Sequence, residues 1–184
     1  MSDPKKSKIT TAARAVFLRY GFKRTNMNDI AEAAGISRAA LYLVYKNKED
    51  VFVGVFLQWL DETLVEIASS MASIQMPEEK LERAFEIWTV RPFEMLVASP
   101  EAKDLIECSF GFAQASLNLG YKKFEATILP VLASIAERQP KKAQISPERS
   151  AHVLASSVRG FKQTATTPTE LRQLIKEMLQ LTLT

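Results

Sequence analysis

A chain of 184 residues can bury one sizeable core, and its 47% hydrophobic and 24% charged residues are those of a globular rather than a disordered protein. The longest apolar run, Val51 to Leu57, is far short of a membrane span of ~20 residues; the basic start to Lys8 lacks a secretory apolar block, and the single Cys108 excludes an internal disulfide, so a cytoplasmic location without a membrane partner is expected. The net charge of +3 is unevenly divided, because residues 1–50 hold ten Lys or Arg against five acids while the rest carries 14 basic and 16 acidic residues, which turns the N-terminal quarter either toward a polyanion or into a solvated basic face.

In chain order the periodicity is helical nearly throughout, and nothing reads as a strand. The first helix is expected from about Lys5 to Tyr20, with Ile9, Ala12, Ala13, Val16, Phe17 and Tyr20 at i, i+3, i+4 spacing and Gly21 ending it. Asn26, with Asp29 three residues later, starts a second helix; Gly35 breaks it, Ser37 caps a third and Asn47 a fourth that runs to about Ser73. Later helices begin at Pro77, Pro100, Pro147 and Pro168, since a proline in the first turn lacks an N–H that would be unpaired there anyway. Pro92 and Pro130 fall inside helical patterns and are expected to kink or divide them. The expectation is an all-α chain of about nine helices, three short and six longer, with residues 139–146 as its most linker-like stretch.

Chemistry concentrates between Asp29 and Tyr45. Two short helices joined at a glycine can form a helix-turn-helix, whose second helix enters the DNA major groove. Ala31 and Ala34 are small enough for close helix crossing, Gly35 can take a positive φ, and Ile36 and Leu41 can plug the core beneath. Ser37 then turns Arg38, Ala39 and Ala40 outward, and Arg38 can reach phosphate or the guanine edge. Tyr42, Lys46 and Lys48 are phosphate-type ligands that fix register rather than read bases. An ordinary αα-corner with solvated lysines would share these features one by one; taken jointly with the charge division, they favour DNA.

The spaced residues Ala13-x3-Phe17-x3-Gly21-Phe22-x2-Thr25-x3-Asp29-Ile30-Ala31-x2-Ala34-Gly35-Ile36-Ser37-x3-Leu41-Tyr42-x2-Tyr45-Lys46-x-Lys48-Glu49 closely resemble the TetR family of transcriptional regulators. The resemblance covers about a quarter of the chain in one ungapped frame. It implies a DNA-binding head over residues 1–50 and an effector-binding and dimerisation body over 51–184, acting as a homodimer on a palindromic double-stranded operator. It also implies Thr25 and Asn28 at the DNA backbone or groove, Arg38, Ala39, Ala40 and Leu43 toward the bases, and Tyr42, Lys46 and Lys48 toward phosphate. Tyr45 stands where phenylalanine is usual, so its hydroxyl reaches either phosphate or water. Leu43 and Val44 replace residues that are commonly polar and offer only apolar contact, for example with a thymine methyl.

In the body, Val153, Leu154, Val158 and Phe161 on one helix and Leu171, Leu174, Ile175, Met178 and Leu179 on the next suit a four-helix dimer interface implied by the resemblance, although an intramolecular core would show the same spacing. Among the aromatic and methionine residues after position 56, Trp59, Phe85, Trp88, Met95 and Phe112 are candidate pocket liners, set against the commoner role of core packing. Few charges lie among them, which suits a largely apolar or aromatic effector. The lone His152 reads as a surface or interface residue and Cys108 as a small buried side chain. No catalytic motif is present, so no enzyme, cofactor or metal is expected. The functional expectation is a repressor released from its operator by a small molecule, the alternatives being an activator or an effector-independent architectural DNA-binding protein.

Overall fold

The structure, a computed structural model, describes residues 3–98, 111–138 and 145–183. Among these there is no strand. The α-helical segments are α1 (Pro4–Tyr20), α2 (Met27–Ala33), α3 (Arg38–Tyr42), α4 (Lys48–Ala72), α5 (Pro77–Phe85), α6 (Arg91–Ala98), α7 (Gln114–Arg138), α8 (Pro147–Thr164) and α9 (Pro168–Leu183). A π-helical turn, Glu86–Val90, joins α5 to α6, so these nine segments make eight rods. The start expected at Pro100 and the residue Cys108 lie outside the described residues, as does most of the expected linker.

Several of the described helices begin where a side chain satisfies one of their unpaired first-turn amides. Asp3 accepts from the Lys5 amide at 2.9 Å, Ser146 from Arg149 at 3.3 Å and Thr167 from Glu170 at 3.2 Å. The prolines behave in two ways. Pro92 follows the π turn, in which the Arg91 amide donates to the Glu86 carbonyl five residues back. That wider turn gives room where the proline ring would otherwise press on the carbonyl four residues behind it. Pro130, expected to kink or divide its helix, sits inside α7, which continues from Gln114 to Arg138. Ile128, Val131, Leu132 and Ile135 around it are buried, so packing outweighs one lost hydrogen bond.

The chain forms two compact units, one within Met1–Asp61 and Leu96–Gly120, the other within Glu62–Met95 and Tyr121–Thr184. Helices α4 and α7 each contribute to both. The first unit is built on Ile9, Ala13 and Phe17 of α1, Met27, Ile30 and Ala31 of α2, Leu41 of α3, and Val51, Phe52 and Val55 of α4. Phe17, Phe22 and Phe52 meet pairwise at 5.5–5.7 Å between ring centroids, each pair adding about 0.5–1.5 kcal/mol beyond its buried area. In the second unit, α9 packs on α5, the π turn and α8. Its rings also cluster: Trp88 lies parallel to Phe124 at 4.7 Å and edge-on to Tyr121 at 5.5 Å. Outside them, Arg172 bridges Glu86 and Glu94, with Nη2 donating to Glu86 Oε1 at 2.8 Å.

Candidate nucleic-acid interface

The turn between α2 and α3 is made by backbone hydrogen bonding that requires glycine. Gly35 has φ +62°, its amide donates to the Glu32 carbonyl at 3.0 Å, and the Ile36 amide donates to Ala31 at 3.0 Å. Those two bonds close α2, while the Ile36 side chain packs on the core below. At the other end of α2, Asn26 accepts from the Asn28 and Asp29 amides and Asp29 accepts from the Asn26 amide, a complete capping box. Ser37 caps α3 by accepting from the Ala40 amide at 3.1 Å. With Leu41 fully buried, helix α3 can turn about its axis no further, and Ser37, Arg38, Ala39, Tyr42 and Leu43 are exposed. Ala40 is half-buried. Lys46 and Asn28 also face solvent, the latter in the first turn of α2. Asn47 accepts from the Asp50 amide at 2.8 Å, and Asp50 accepts from the Lys46 amide at 3.2 Å, which shapes the turn into α4.

Three residues expected at DNA are placed differently. Thr25 is buried, and its hydroxyl donates to the Gly21 carbonyl at 2.7 Å, closing the α1–α2 turn. Tyr45 is buried in the head's core, where burial, reinforced by the charges of Asp50 and Asp3, raises its phenol above the ordinary value. The Lys48 ammonium donates to the carbonyls of Phe22 at 2.8 Å and Thr25 at 2.7 Å, and lies 4.3 Å from the Phe22 ring centroid. Spacing along the chain could not reveal this, because the α1–α2 turn is more than twenty residues away. The partner of Tyr45 did leave a signal: Gly54 is a lone glycine in an apolar helical run, and such a residue marks a close approach.

The expected pocket residues fall into separate environments. Phe85 and Trp88 are buried in the ring cluster on Phe124, with the Trp88 Nε1 donor unpartnered, and Met95 is half exposed. Trp59 packs on Phe56, and Phe112 on Phe22 and Phe52, within the first unit. A surface groove of about 590 Å³ lies along α1 and α2, bounded by Arg19, Tyr20, Asp29 and Glu32; none of the five lines it. Beside the ring cluster Arg159 lies 3.8 Å from the Tyr121 centroid, and burial, then Arg159, lowers the Lys162 ammonium to about 8.

Of the residues expected between subunits, Leu154, Val158, Leu171, Ile175 and Met178 are buried within the chain's own second unit. Val153 is exposed, Phe161 and Leu174 are half-buried, and Leu181, not singled out by periodicity, is 85% exposed. His152 is exposed and meets Glu125 at 3.1 Å.

Residues 9–55 match the family model described as bacterial regulatory proteins, tetR family. The HTH-type transcriptional regulator YfiR of Bacillus subtilis is 37% identical over 68 residues, which are 37% of this chain and 33% of that protein. YhgD of the same organism, another HTH-type transcriptional regulator, is 26% identical over 80% of this chain and 75% of its own length. Thermus thermophilus FadR, a TetR family transcriptional repressor solved in complex with lauroyl-CoA, shares the fold with a TM-score of 0.65 and 24% identity, covering 97% of this chain and 93% of that one. Residues 9–55 thus match the tetR family of bacterial regulatory proteins, and the chain as a whole shares its fold with a solved repressor of that family.

Proposed function

We propose that the protein is a sequence-specific DNA-binding repressor, acting in the cytoplasm as a homodimer that a small molecule releases from a palindromic operator. The observation that carries this is the capped α2–turn–α3 unit, which holds Arg38, Ala39, Tyr42 and Leu43 in solvent on an excess of positive charge. Arg38 and Asn28 supply donors for bases or backbone, while Tyr42 and Lys46 supply phosphate contacts. Thr25, Tyr45 and Lys48 support the head from within. Two copies pair through the outward faces of α8 and α9, using Val153, Gly160, Phe161, Leu174 and Leu181, because the apolar residues on the inward faces are already spent on the chain's own core. No helix among the described residues is long and apolar enough to cross a membrane.

Release requires an effector that prefers a body conformation with a different spacing of the two heads. A fatty acyl thioester is the first probe to use, since the similarly folded Thermus FadR carries lauroyl-CoA. Gel-shift titration against the DNA upstream of the protein's own gene tests the reading. Retarded migration that survives excess competitor DNA is expected, and Lys46→Ala should weaken binding to all sequences and lower the salt slope by about one unit. Binding indifferent to sequence would overturn the specific-repressor reading; lauroyl-CoA failing to release the operator would remove only that effector class.

A further inference from the structure

The exposed side of α3 carries two parallel lanes. In the first, Arg38 and Tyr42 stand one turn apart and hold each other, with Arg38 Nη2 donating to Tyr42 Oη at 3.4 Å and the guanidinium 5.5 Å from the ring centroid. In the second, Ala39 and Leu43 also stand one turn apart, the Leu43 amide donating to the Ala39 carbonyl at 3.2 Å. Both are exposed, and Leu43 is 84% so, whereas the adjacent Val44 packs against the core of the head. The structure thereby separates two residues that look alike in the sequence: Val44 is support, and Leu43 is surface.

A leucine 84% exposed at the C-cap of a five-residue helix adds no buried apolar area to the fold. Arg38 before it and Lys46 after it are exposed cations, a setting complementary to the DNA backbone rather than to an apolar protein surface. On the major-groove edge of a base pair, the apolar feature is the C5 methyl of thymine. Resting on the DNA-binding reading above, we propose that the Ala39–Leu43 lane selects thymine through its methyl group, making Leu43 a specificity-determining residue of this protein. Ala39, carrying only a methyl, leaves the space through which the base edge approaches Leu43.

The test uses the full-length protein. Sites are selected from random duplexes, and each thymine of the selected site is then replaced by deoxyuridine, which lacks only the methyl. Replacement at one position of a half-site should weaken wild-type binding about fourfold, and at both half-sites roughly fifteenfold, the worth of burying one methyl group each time. Leu43→Ala should bind both duplexes equally at that position and melt at the wild-type temperature, since the side chain it removes is in solvent. Selective binding that is indifferent to deoxyuridine at every position overturns the proposal and leaves the repressor reading standing. Absence of any selected sequence overturns both. If Leu43→Ala changes the oligomeric state while keeping the deoxyuridine effect, Leu43 is a protein contact and the proposal falls.

Discussion

Lys48 shows how one side chain's role depends on what folds against it. Its place beside Lys46 suits a phosphate ligand, yet its ammonium is held by two carbonyls and a phenyl face of the α1–α2 turn. Hydrogen bonds from a charged group contribute about 1.5–3 kcal/mol, less where the group is partly in water. Lys48→Met should therefore lower the unfolding free energy by about 1–2 kcal/mol in a denaturant titration and leave the salt slope of DNA binding unchanged. A slope reduced by about one unit would place the ammonium on phosphate instead. Gly54 answers to a different neighbour. A Cβ at that position would stand 2.7 Å from Tyr45 Oη and 3.0 Å from its Cε1, while Tyr45 is confined by the core. Gly54→Ala should cost about 1–3 kcal/mol, and Tyr45→Phe should recover part of it. Equal costs in both backgrounds would mean that the tyrosine swings aside.

Elements were legible where their chemistry is local. Asn26 with Asp29, Ser37, Asn47, Ser146 and Thr167 all cap the helices that their sequence neighbours foretell, because a cap bonds amides only two or three residues away. Pro130 does not divide its helix, because the cost of a missing amide is local whereas the burial that outweighs it is not. Helix α8 carries a prediction of its own. Gly160 lies on its exposed side, with nothing within 4 Å of where a Cβ would be. In an isolated chain Gly160→Ala should stabilise the helix by about 0.5–1 kcal/mol. If a second copy packs on that face, as proposed, the same change should weaken dimerisation measured by sedimentation. A stabilised chain with an unaltered dimer would place the interface elsewhere.

At the scale of the whole molecule, the sequence by itself determined an all-helical chain, the position of the helix-turn-helix and the unequal charge of its two parts. Periodicity, caps and composition are properties of neighbouring residues, and the head's motif lies within one short stretch. Only the tertiary structure decided which apolar and basic side chains remain available. It buried Leu154, Val158, Leu171, Ile175 and Met178 in the chain's own core, and left Val153 and Leu181 outside. It drew Lys48 inward, closed Thr25 against Gly21, and left Leu43 in solvent beside a half-buried Val44. The physical reason is the same in each case: a helical stripe says that a residue needs a partner, and only the packing of distant elements says whether that partner is the chain itself or another molecule.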